Sequence, residues 1–165
     1  MLIDTSYFTG LLDVGMSPCP GTPSETNEAE EEKLQNYIEA YEPEYLEKCL
    51  GEKMSNAFND YLNRGEEGEE DEKWEKLKAM LTATPSPVAC YVYFMYVREV
   101  NTSVTRQGVT VYAGEDAVSP ASLQRRAWNK MAELNRKVYE LLESGAYEDV
   151  VVNPCMVKKL NAMGL

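Results

Sequence analysis

The residues able to do chemistry are cysteines and carboxylates, and neither set is arranged for it. Cys19, Cys49, Cys90 and Cys155 are separated by 30, 41 and 65 residues. Zinc sites need close pairs such as C-x2-C, and the chain has none. There is no histidine. That removes Ser–His–Asp and Cys–His catalysis, imidazole ligation and the usual general base near neutral pH. Without an export signal, free buried or half-exposed thiols are expected rather than a disulfide framework. The paired carboxylates fall on helix faces and in loops, where a solvated face is the simpler reading than an acid/base pair. The run GEEGEEDEK at 65–73 lacks the alternating oxygens and central glycine of a calcium loop and reads as a solvated acidic loop. No phosphate-binding glycine loop, nucleophile elbow or metalloprotease motif is present. The expectation is a protein that is not an enzyme and needs no cofactor or metal.

The elements around these residues make one domain, 1–165, since the chain has 165 residues and a mass of 18.6 kDa. Apolar residues make up 44%, and no apolar run reaches the roughly 20 residues of a membrane span. MLIDTSYFTG carries no basic region followed by a long apolar one, so no signal peptide and no membrane partner are expected. The charge is uneven. Residues 1–97 hold 7 basic and 20 acidic side chains, a net of −13; residues 98–137 hold 7 and 4, a net of +3; the remainder has a net of −2. A chain with a net charge of −12 is a poor binder of nucleic acid, because phosphate binding requires Lys and Arg to displace counterions. The eleven tyrosines fall mostly on inward stripes, as core packing requires.

Residues 1–24 read as an N-terminal arm. Pro18, Pro20 and Pro23 keep it extended, while Ile3, Phe8 and Leu12 call for packing on the body or on a neighbouring subunit. A first helix opens near Asn27, with Leu34, Tyr37, Ile38 and Tyr41 at helical spacing, and Pro43 is expected to break it. A short helix burying Tyr45, Leu46 and Cys49 ends at Gly51; a third carries Met54, Phe58 and Tyr61. KWEKLKAML makes a fourth, with Trp74, Leu77 and Leu81 inward. Val88–Val97 is uniformly apolar, so periodicity does not separate a buried helix from a buried strand; its length, Ser86 as cap and Pro87 in the first turn favour a central helix. Residues 101–118 read as an extended or β-hairpin arm turning near Gln107–Gly108, and Pro120 opens the clearest helix, 119–144. A short helix is expected after Pro154. The fold class is thus mainly α: a bundle of about five to six helices, with the arm between the two longest. Arg125, Arg126, Lys130, Arg136 and Lys137 decorate the 119–144 helix, suited either to phosphates or to the acidic half of a neighbouring copy.

Several pieces in order carry a resemblance: MLIDTSYFTG, IEAYEPEYLEKCLG at 38–51, KWEKL at 73–77, VYFMYVRE at 92–99, TSVTRQGVTVYAGEDAVSP at 102–120 and RRAWNKM at 125–131. The chain resembles a family of small proteins of tailed phages and prophages of gut anaerobes, similar to head–tail connector (head-completion adaptor) proteins. The resemblance implies a virion structural protein, made in the host cytoplasm, that assembles as a ring at the portal vertex. Its implied partners are copies of itself and the portal and tail proteins, with DNA in transient passage and no specific nucleic-acid binding. The expected interface residues are Val104, Arg106, Val109, Val111 and Tyr112 on the arm, with Arg125 and Arg126 on the following helix. Two other function classes stand beside it: a small acidic phage protein that binds and regulates a host protein by mimicking DNA, which requires carboxylates in paired rows on one face, and an enzyme without histidine, which requires a cleft with a desolvated Cys or Glu next to a cation.

Overall fold

The computed structural model describes residues 1–14, 24–64, 69–100, 102–105, 108–111, 120–148 and 150–161. Within them the chain is mainly helical: α1 (Ser24–Leu50), α2 (Glu52–Arg64), α3 (Glu69–Thr82), α4 (Pro87–Val100) and α5 (Pro120–Leu142). Two four-residue strands, β1 (Thr102–Thr105) and β2 (Gly108–Val111), lie between α4 and α5. α4 is the central element and packs most extensively on α5 and α1. Val88 to Tyr93 are all buried, as a helix surrounded on all sides requires. Its start is fixed by Ser86, whose buried Oγ donates to the Leu81 carbonyl at 2.6 Å and accepts from the Ala89 amide at 3.2 Å. One hydroxyl therefore closes α3 and caps α4.

α1 differs from expectation, since it runs unbroken through Pro43. An interior proline removes the bond to the Glu39 carbonyl and costs about 3 kcal/mol. Burial outweighs that cost: Leu34 and Ile38 before it, and Tyr45, Leu46, Cys49 and Leu50 after it, are all buried, each contributing roughly 1.5–3 kcal/mol. α1 ends at Gly51, whose φ of 80° gives the left-handed turn into α2 and whose amide donates to the Glu47 carbonyl at 2.9 Å. α3 also begins earlier than expected. Its first turn takes up Glu69–Glu72 from the acidic run, a placement the helix dipole favours; residues 65–68 lie outside the described residues.

Residues 1–14 pack on the chain's own body, with Ile3, Phe8 and Leu12 buried. The buried Glu42 carboxylate holds them, accepting from the amides of Leu2 at 2.9 Å and Ile3 at 3.2 Å. Tyr7 Oη donates to the Thr82 carbonyl and Tyr93 Oη to that of Asp13. The proline-rich part of the expected arm, 15–23, lies outside the described residues.

The paired strands follow the 14-residue α4, so they do not join the two longest helices, which are α1 and α5. Their register is antiparallel, with Val104 opposite Val109 and Thr102 opposite Val111. The arm expected over 101–118 is otherwise outside the described residues, and this one pairing does not establish it. At the other end, the expected helix after Pro154 is a single 3-10 turn, Pro154–Met156, with no helix between it and Asn161.

The tyrosines set an alkaline limit to stability. Burial raises Tyr45 well above the usual phenol value. Burial and then the Glu99 carboxylate raise Tyr37 to about 12, and for Tyr41 the bond to Glu99 leads and burial adds, again to about 12. Above about pH 10 unfolded tyrosines lose protons that these keep. Their contribution is therefore complete below about pH 10 and declines above it. The urea midpoint, followed upward from neutral pH, is expected to stay level and then fall past that point.

Candidate assembly interface

Basic side chains gather on one face of α5. Ser122, Arg125, Arg126, Asn129, Lys130 and Glu133 recur at three- and four-residue spacing, so they share a stripe. They form the floor of an open groove of about 600 Å³, walled by Leu11 of the N-terminal segment and Lys159 of the C-terminal one. Four cations thus converge with one carboxylate. Lys130 pairs with Glu133 at 3.1 Å, and that bond holds the Glu133 carboxyl below its ordinary range. Arg126 Nη2 donates to the Leu11 carbonyl at 3.3 Å, tying the N-terminal wall to the helix.

The other wall is held by a ladder of side chains on α5. Trp128 Nε1 donates to the Lys158 carbonyl at 2.9 Å and Arg136 to that of Val157 at 3.1 Å. Asn129 meets Leu160 twice, donating to its carbonyl at 3.0 Å and accepting from its amide at 2.7 Å. Asn135, fully buried, donates to the Met156 carbonyl at 2.9 Å and accepts from Tyr45 Oη at 2.6 Å. Tyr139 Oη donates to the Cys49 carbonyl and accepts from the Asn153 amide. α1, α5 and residues 153–160 are therefore locked by one polar network, which is what brings Lys159 alongside Arg125 and Lys130.

Of the expected interface residues, Arg125 and Arg126 lie in this groove, Arg125 half-buried and Arg126 exposed. Val104, Val109 and Val111 lie on the paired strands, while Arg106 and Tyr112 fall outside the described residues. Lys159 and Leu11 were not legible as partners, because only the tertiary path of the two terminal segments brings them to α5. Lys130 was one turn from Arg126 and legible as part of the same stripe.

α1 presents the opposite sign. Glu28, Glu30, Glu31, Glu32, Glu39 and Glu47 are exposed on it. Of the thiols, Cys49 and Cys90 are buried, and burial raises both; Cys155 is exposed. Among the described residues no group of three or more His, Cys, Asp or Glu is placed to hold a metal ion, and no helix is long and apolar enough to cross a membrane. No family model matches the chain, and no match was found among curated proteins or solved structures.

Proposed function

We propose that this protein is a virion structural subunit of a phage, a head–tail connector that assembles into a ring at the portal vertex. The observation that carries this reading is the segregation of charge: a four-cation groove on α5 and an acidic face on α1, in a chain whose net charge is −12. A ring needs two different surfaces that meet head to tail, and opposite charge on separate faces serves that geometry. The paired strands add a second handle. A ribbon of two four-residue strands is marginal alone and gains most by completing its bonds on a neighbour. The portal and tail proteins are the other partners, and the surplus acid keeps passing DNA from adhering. The reading involves no catalysis, cofactor or membrane.

The test is electron microscopy of the concentrated protein, alone and mixed with a portal protein from the same genome. Rings are expected. Absence of any higher assembly under both conditions would overturn the reading. Val109→Ser with Val111→Ser is expected to leave the helical circular dichroism unchanged and to lower the ring fraction.

A further inference from the structure

We propose that the groove on α5 receives the glutamate stripe of α1 from a second copy of this chain, an inference that rests on the assembly reading above. Glu28, Glu32, Gln35 and Glu39 recur at i, i+4, i+7 and i+11, so they form one line along α1. The three glutamates are exposed. At 1.5 Å per residue the α1 line runs about 16 Å; on the groove floor Arg125, Arg126 and Lys130 lie within about 7.5 Å along α5, with Lys159 beside them. A line of carboxylates and a compact group of cations suit helices laid side by side.

The stripe and the groove floor belong to helices that each pack on α4. Lys130 pairs with Glu133 within α5, and the groove lining carries Arg125, Arg126, Lys130 and Lys159 with that one carboxylate. Both groove walls are pinned to α5 through backbone atoms, Leu11 by Arg126 and Leu160 by Asn129, so the cations are held in place before a partner arrives. Such preorganisation lowers the cost of association. A neighbour's α1 is chosen because it carries exposed carboxylates in one line, the charge complement of the grouped cations.

The experiment pairs two charge reversals and reads assembly by sedimentation velocity. Lys130→Glu with Lys159→Glu makes the groove acidic; Glu28→Lys with Glu32→Lys makes the stripe basic. All four positions are on the surface, and circular dichroism confirms that each variant folds. Each variant alone is expected to need at least about tenfold more protein to assemble than the wild type. An equimolar mixture is expected to recover assembly, because each reversed groove then meets a reversed stripe. The wild type is expected to weaken as added salt shortens the screening length to below about 10 Å. If the wild type assembles and the groove reversal has no effect, the inference falls and the assembly reading stands. If both reversals weaken assembly but the mixture fails to restore it, the groove serves another acidic partner and the inference is equally overturned. A wild type that remains monomeric alone and with the portal protein overturns the assembly reading itself.

Discussion

Asn135→Ala is expected to lower the unfolding free energy by about 3–5 kcal/mol. The side chain is fully buried and serves two groups that have no water to turn to, Tyr45 Oη and the Met156 carbonyl. Leaving a buried polar group unsatisfied costs roughly 1–3 kcal/mol, and here two are orphaned at once beside a new cavity. Tyr45→Phe alone removes only the donor and is expected to cost about 1–2 kcal/mol. Combining Tyr45→Phe with Asn135→Leu takes away both partners and refills the space, so the pair should lose less than the sum of its single changes. Urea titrations of the wild type, Tyr45→Phe, Asn135→Leu and the double variant give that cycle directly. Hydrogen exchange adds the structural signature: in Asn135→Ala the Leu160 amide, which Asn129 binds in the wild type, should lose protection before the α4 amides do. If Asn135→Ala costs less than about 1 kcal/mol, the polar network is not what joins α1, α5 and the C-terminal segment.

Phe58→Ala should have a comparable effect at the other end of the molecule, a loss of about 3–5 kcal/mol. Phe58 is fully buried, with ring centroids 6.1 Å from Tyr61 and 5.7 Å from Trp74. Trp74 in turn lies 5.8 Å from Tyr147, whose hydroxyl donates to the Lys73 carbonyl. These rings fasten α2, α3 and the turn after α5 to one another. Truncating Phe58 therefore empties a site walled by the rings of Tyr61 and Trp74, and rigid rings collapse poorly into a void. Phe58→Leu retains most of the volume and is expected to cost about 1 kcal/mol. For a chain of this size the alanine variant should melt roughly 10 °C lower. The near-ultraviolet circular dichroism of the ring cluster is expected to weaken with it. Equal melting of the leucine and alanine variants would show that the cluster is not packed as described.

What was legible in the sequence follows from local signals. Ser86 and Pro87 announced α4, and Gly51 marked the end of α1, because capping depends on residues a turn apart. The stripe through Ala127, Met131 and Val138 announced α5. Pro43 misled because its local penalty is plain in the sequence, whereas the burial that offsets it depends on α4 and α5 arriving from far along the chain. Asn135 and Glu42 were missed for a related reason. A polar side chain within an amphipathic run reads as surface until its partners, Tyr45 and Met156 for one and the amides of Leu2 and Ile3 for the other, are seen across the fold. Of the groove, Arg125 and Arg126 were found as members of one helix face; Lys159 was not, since no spacing along the chain links position 159 to position 125.

The ladder that binds residues 157–160 to α5 reaches their main-chain atoms and none of their side chains. Mutational tolerance should therefore be lopsided. Saturation mutagenesis at the exposed positions 158 and 159 ought to leave the fold intact with nearly any amino acid, whereas Val157 packs against the core and proline at 160 removes the amide that Asn129 needs. Asn129 and Trp128, which do the holding, ought to accept few. This surface is free to drift in charge and shape at positions 158 and 159 without loosening its seat, so recognition can be retuned there independently of the scaffold.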